Sequence, residues 1–113
     1  MNTADFEAAK DLCSLAHLHM RLRSDADYTS DEVFRAKLLL TRLEGMAPAA
    51  YEPTSQDCQL LATLSSKAAR LIERGDFARG GADVERTIER LREVGIEHMT
   101  TVALWRAAAE TGA

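Results

Sequence analysis

Apolar side chains recur along most of the chain at the three- and four-residue intervals that place them on one face of an α-helix. Ala and Leu dominate these positions, and there are few of the β-branched runs that strands favour. The pattern breaks at residues 24–30, 45–54 and 75–81, and again after Gly95. The sequence therefore predicts an all-α fold, an antiparallel helical bundle of four to five helices at about 3–23, 30–44, 55–74, 82–94 and 100–110.

Helix starts and stops support these boundaries. We expect Thr3 to cap the first helix, residues 29–32 to form a capping box for the second, and residues 54–57 to cap the third. Gly45 and Gly75 follow the last periodic residues of the second and third helices, where a left-handed residue commonly ends a helix.

The first two helices carry more apolar surface than one packed face requires. In the second, one stripe runs from Val33 to Leu43, Phe34 and Leu38 form another beside it, and Leu39 lies outside both. We expect the second stripes, with Leu39, Leu104 and Trp105, to form an oligomer or partner interface. The alternative is that a fifth helix covers this surface internally.

Length and charge narrow the class of protein. A chain of 113 residues fits a single helical domain spanning 1–113. The net charge of -4 argues against nonspecific binding to nucleic acid or to anionic membranes. The N-terminus lacks the pattern of a signal peptide and no apolar run could span a bilayer, so we expect a cytoplasmic protein without membrane contact. The bias toward Ala and Arg indicates a bacterial or phage origin.

Four carboxylates cluster around the first connector: Asp25, Asp27, Asp31 and Glu32. We interpret them first as helix-capping, solvated residues. The alternative makes them candidate partner-binding residues, because an acidic patch attracts a basic partner surface and speeds encounter.

No combination of residues forms a recognisable catalytic or metal site. His17 and His19 point about 200° apart on a helix, and Cys13 with His17 lacks further ligands at usable spacing. No serine or cysteine lies in a nucleophile motif. Cys13 and Cys58 occupy apolar helix positions, which predicts buried thiols. We therefore expect no enzyme activity, no metal and no other cofactor.

The segment 83–110 resembles a helix-turn-helix in outline, with Gly95 at the turn and Ile96 after it. Arg92 and Arg106 are the candidate DNA-binding residues. Against this, Arg90 occupies a position that the motif fills with an apolar side chain, and Arg106 is the one cation of the predicted last helix.

The sequence-based hypothesis is a noncatalytic protein-protein interaction module, such as an adaptor, inhibitor or chaperone-like factor, that acts through exposed apolar helix faces as a homodimer. The alternative is a small DNA-binding transcriptional regulator that uses the 83–110 hairpin.

Overall fold

The computed structural model describes residues 1–20, 28–75 and 81–94. Within them it contains four α-helices: α1 (Thr3–Met20), α2 (Ser30–Glu44), α3 (Ser55–Arg74) and α4 (Gly81–Glu93). A single 3-10 turn, Pro48–Ala50, lies in the connection from α2 to α3. The described residues include no strand. The all-α prediction is confirmed. The predicted helix at 100–110, and the predicted end of the first helix at residue 23, lie outside the described residues.

The predicted capping box at the start of α2 is present, and the predicted cap of α3 is also a capping box. The Thr29 hydroxyl accepts from the Glu32 amide at 3.1 Å, and the Glu32 carboxylate accepts from the Thr29 amide at 2.8 Å. Thr54 and Asp57 repeat the arrangement at the start of α3, with distances of 3.1 and 3.3 Å. Each box satisfies two backbone donors that the first helical turn leaves without an intrahelical acceptor.

Two other predicted helix ends are wrong in detail. Asn2 caps α1 instead of Thr3, because its side-chain oxygen accepts from the Asp5 amide at 2.8 Å. Gly45 ends α2 with φ -93°, outside the left-handed region, and its amide reaches back to the carbonyls of the last turn. Gly75 does adopt the left-handed conformation, with φ 68° at the end of α3.

The central element of the fold is α1, which packs against α2, α3 and α4. Seven of its described side chains are buried, on a broad face that covers about half of the helix: Phe6, Ala8, Ala9, Leu12, Cys13, Leu15 and Ala16. This broad apolar face is therefore used inside the molecule, because three helices pack against α1. Over the described residues, this burial contradicts the interface predicted from the second stripe of the first helix.

One core joins all four helices. Leu61, Leu64 and Leu71 of α3, together with Ile88 and Leu91 of α4, belong to the same buried cluster as the α1 residues. Val94, which the helical spacing places in the core, is instead 44% exposed after the end of α4.

Ion pairs show the relative direction of α2 and α3. Arg42, near the end of α2, pairs with Asp57 at the start of α3, whereas Glu32, near the start of α2, pairs with Lys67 in the second half of α3. The two helices are therefore antiparallel. On the other side of α1, the Arg90 guanidinium of α4 pairs with Asp11 at 3.0 Å.

A search of the described helices for a stretch long and apolar enough to cross a membrane finds none.

Candidate functional site

A surface groove lies between α2 and α3. The part near the end of α2 has a volume of about 510 Å³, and its lining residues include Leu38, Leu39 and Arg42 from α2 with Gln56 and Leu60 from α3. A further hollow of about 260 Å³ shares Arg35, Gln59 and Leu60 with it and extends to Thr29 and Thr63. We call this continuous depression the α2–α3 groove.

Two large apolar side chains stand exposed on α2, and one of them, Leu38, lines the groove. Phe34 is 60% exposed and Leu38, one turn later, is 52% exposed. Among the described residues, Val94 is the one other large hydrophobic residue that is exposed, at 44%. We call Phe34 and Leu38 the α2 patch. It is the second stripe of the second predicted helix, so this part of the surplus apolar surface does face solvent.

A polar cluster closes one end of the groove. The Asp57 carboxylate accepts from the Tyr51 hydroxyl at 3.0 Å and from both terminal nitrogens of the Arg42 guanidinium, at 3.2 and 3.5 Å. Asp57 is buried, so these contacts and its capping bond replace the water it loses. Burial, together with the neighbouring negative charge of Asp57, raises the pKa of the Tyr51 hydroxyl, which therefore stays protonated as a donor.

The other end is closed by Glu32 and Lys67. The Lys67 ammonium donates to the same Glu32 oxygen that accepts from the Thr29 amide. Burial by itself would raise the pKa of Glu32, but the hydrogen bonds from Lys67 and Thr29 outweigh it and hold the pKa below its usual value. The Lys67 ammonium also lies 5.9 Å from the centre of the Tyr28 ring.

The α2 side of the groove carries both kinds of charge, since Arg35 and Arg42 line it together with Asp31 and Glu32. The Arg35 and Arg42 side chains are more than half exposed, and each is paired with a carboxylate of this chain. Lys37 is exposed between the two members of the α2 patch. From Val33 to Leu43, α2 carries these three cations and no carboxylate.

The structure corrects one predicted interface residue and reassigns another. Leu39 is 2% exposed and belongs to the core, because it lies on the face of α2 that turns toward the other helices. Glu32 caps α2 and pairs with Lys67, which supports the capping interpretation over an exposed acidic contact. Asp31 is exposed and its carboxylate lies 3.0 Å from Arg35.

The remaining predicted contact residues are Asp25, Asp27, Leu104, Trp105 and Arg106, and they lie outside the described part of the chain. Arg92 is exposed near the end of α4. Only residues 83–94 of the helix-turn-helix-like hairpin are described. The DNA-binding alternative therefore stays a prediction.

Both thiols are buried, as predicted. Cys13 and Cys58 are free cysteines in the core, and burial, with a smaller contribution from the charge of Asp57, raises the pKa of Cys13 to about 12. The pKa of Cys58 is raised for the same two reasons. Over the described residues no three His, Cys, Asp or Glu side chains come together in a way that could hold a metal ion.

A second depression of about 390 Å³ lies between α1 and α4, lined by Ser14, His17, Leu18, Leu40, Asp83, Arg86, Thr87 and Arg90. Its charged groups are paired with one another: Arg86 with Asp83 at 2.6 Å and Arg90 with Asp11. The Thr87 hydroxyl donates to the Asp83 carbonyl.

Sequence reasoning missed the groove because its walls come from two helices. Asp57 was expected only as a cap residue, and nothing in the sequence linked it to Tyr51 or Arg42, which lie 6 and 15 positions away. A signal was present in the run of α2 from Val33 to Arg42, where cations alternate with apolar residues that one packed face cannot all bury.

Taken together, the fold and the groove describe an all-α protein with a solvent-facing depression between two antiparallel helices. Comparison of the chain with protein-family models, with curated proteins and with solved structures finds no match.

Proposed function

We propose that this chain is a noncatalytic protein-protein interaction module that binds other proteins through the α2 patch and the adjoining groove. The observation that carries the proposal is the pair of exposed large apolar side chains, Phe34 and Leu38, one turn apart on a helix whose other face is firmly anchored in the core. Exposed apolar side chains, one of which lines a groove with a polar rim, have the composition of a protein-binding surface.

The anchoring of α2 supports this use of its outer face. Ion pairs hold α2 to α3 at both ends, and Ala36, Leu39 and Leu43 bury its inner face. A rigid helix presents its exposed side chains without losing much conformational freedom on binding, which lowers the free-energy cost of association.

The proposal includes a cytoplasmic location. Both cysteines of the chain are free, which fits a compartment that keeps thiols reduced. We propose a bacterial or phage adaptor, inhibitor or chaperone-like factor as the kind of module, and a homodimer as its assembly.

The test compares the wild-type chain with a Phe34→Asp/Leu38→Asp variant and with Val94→Asp, which places the same charge at an exposed apolar position away from α2. In one experiment each of the three proteins is immobilised and exposed to host lysate. In a second experiment the sedimentation of each protein, free in solution, is measured over a range of concentrations. We expect specific association, with another protein or with a second copy, to be lost in the double variant and kept in Val94→Asp. Association that is identical in all three proteins would refute the proposal.

A further inference from the structure

The face of α2 that points away from the other helices carries one continuous line of exposed positions. Phe34, Leu38, Thr41 and Gly45, the glycine that ends the helix, are all exposed. They follow one another at intervals of four, three and four residues, the spacing that keeps side chains of one helix facing a second helix. We call these four positions the α2 seam. It extends the α2 patch to the end of the helix.

The two halves of the α2 seam differ in size. Phe34 and Leu38 are large and apolar, whereas Thr41 and Gly45 are small. A Cβ atom at Gly45 would meet only carbonyl oxygens of its own helix, at 3.6 and 3.9 Å, so no other described segment fills that space. If two α2 helices pack antiparallel, the large residues of each lie against the small residues of the other. Parallel packing would set Phe34 against Phe34 and leave a gap at the small positions.

The charges beside the α2 seam match the same orientation. Lys37 and Glu44 are exposed on one flank of the seam, seven residues or about two turns apart. Neither forms an ion pair with a described residue, whereas Arg35 and Arg42, on the other flank, are paired with carboxylates of their own chain. In an antiparallel helix pair the same flanks face each other, so Lys37 lies opposite the partner's Glu44. Two-fold symmetry makes this contact occur twice.

The match in size and the match in charge require the same register. Lys37 and Glu44 face each other across a two-fold axis that lies halfway between them in the sequence, between Leu40 and Thr41. Leu38 is centred on the space between the partner's two small seam residues when the axis lies at that same point. The exposed face of α2 is therefore complementary to itself in one antiparallel arrangement.

We propose that two copies of this chain associate through their α2 seams, packed antiparallel, with Lys37 paired with the partner's Glu44. This inference rests on the proposed function and names a second copy as the partner. The 15 residues of α2 form a strip about 22 Å long and about 10 Å wide, much smaller than the about 800 Å² per partner of a standard interface. The dimer is therefore weak, with a dissociation constant of about 1 µM or more.

Charge exchange across the two-fold axis tests the inference. Sedimentation equilibrium of the full chain is measured from about 1 µM to about 1 mM, at low and at high salt. Wild type is compared with Lys37→Glu, with Glu44→Lys and with the variant that carries both changes. Arg70→Glu and Glu73→Lys, at exposed positions of α3, are the matched control reversals. Circular dichroism checks that each variant is folded.

We expect each single reversal on α2 to weaken the dimer by about tenfold at low salt, because it replaces two attractive charge pairs by two repulsive ones. The variant with both changes should regain the wild-type affinity to within about threefold, since its charges are again opposite across the axis. High salt should reduce the effect of the single reversals. The control reversals on α3 should leave association unchanged, and Leu38→Asp should abolish it.

The possible failures differ from one another. Self-association that Leu38→Asp removes but the charge reversals do not affect would overturn the antiparallel arrangement and keep the proposed function. A wild-type chain that stays monomeric up to about 1 mM would overturn this inference, whereas the proposed function would still hold if another protein binds and requires Phe34 and Leu38. If no association of either kind depends on these two residues, both the inference and the proposed function are wrong.

Discussion

The Tyr51 hydroxyl donates a hydrogen bond of 3.0 Å to the buried carboxylate of Asp57, which also caps α3 and pairs with Arg42. Three separate segments of the chain therefore meet at one carboxylate: the end of α2, the connection after it and the start of α3. A hydrogen bond to a buried charge contributes more than one between neutral groups, because the charge has few other ways to replace its hydration.

Removing this hydroxyl should destabilise the fold. We expect Tyr51→Phe to lower the free energy of unfolding by about 1.5–3 kcal/mol, measured by urea denaturation. Glu52→Gln, at the exposed neighbouring position, is the control and should change stability by less than about 0.5 kcal/mol. An equally small effect of Tyr51→Phe would show that the hydroxyl does not stabilise Asp57.

Leu38 and Leu39 give a direct test of the orientation of α2. Leu39 is buried and Leu38 is half exposed, so the same truncation should have different effects. We expect Leu39→Ala to cost about 2–4 kcal/mol of stability and Leu38→Ala less than about 0.5 kcal/mol. Thermal or chemical unfolding of the two variants measures the difference in stability. Similar losses of stability would mean that α2 is rotated about its axis, so that Leu39 is not the buried residue of the two.

Ionisation of Glu32 should make the stability of the fold depend on pH. Its pKa in the folded protein lies below the value near 4.5 of an unperturbed glutamate. The stabilisation is therefore fully present above about pH 4.5 and is lost as the pH falls through the lower folded pKa. We expect Glu32→Gln to be less stable than wild type at pH 7 and to approach it as the pH falls through the folded pKa of Glu32.

Urea denaturation at several pH values checks this, with Asp31→Asn as the control, since the Asp31 pair with Arg35 is exposed. If wild type and Glu32→Gln differ by the same amount at every pH, Glu32 does not gain stability from its ionised state.

The Arg90–Asp11 contact should contribute little despite its geometry. The guanidinium donates to both carboxylate oxygens at 3.0 to 3.3 Å, but the Arg90 side chain is about half exposed, and water screens the attraction. A double-mutant cycle with Asp11→Asn and Arg90→Gln should give a coupling energy of about 1 kcal/mol or less. A coupling of several kcal/mol would mean that this pair is a principal attachment of α4 to α1.

The two thiols should be unreactive in the folded protein. Cys13 and Cys58 are buried, and their raised pKa values keep them protonated at pH 8, whereas the thiolate is the reactive form. We expect a thiol reagent to modify neither cysteine in native buffer and to modify both in denaturant. Rapid labelling of native protein would show that the core around α1 and α3 opens readily.

Local sequence signals were most reliable where neighbouring residues complete the structure. The boxes at Thr29 and Thr54 each form within four consecutive residues, and the helices they begin have the predicted bounds. The left-handed conformation of Gly75 was also predictable, because it depends only on the end of the adjoining helix. Gly45 shows the limit of such signals, because a glycine can end a helix in more than one backbone conformation.

The candidate site was only partly predictable. Periodicity separated Phe34 and Leu38 from the core stripe of α2, but it could not place Leu39, whose burial depends on where α1 and α3 lie. It also could not show that three helices pack against α1. The same surplus of apolar residues therefore indicated an interface on both helices, and the structure leaves such residues exposed on α2.

The sequence by itself determined the helical class, the starts of α2 and α3 and the amphipathic character of each helix, since these depend on residues within a few positions of one another. Only the tertiary structure decided that α1 is central, that Asp57 contacts both Tyr51 and Arg42, and that a groove lies between α2 and α3. Each of these depends on which helices become neighbours, and many arrangements bury similar apolar surface. The choice among them is made by packing and by ion pairs between residues far apart in the chain.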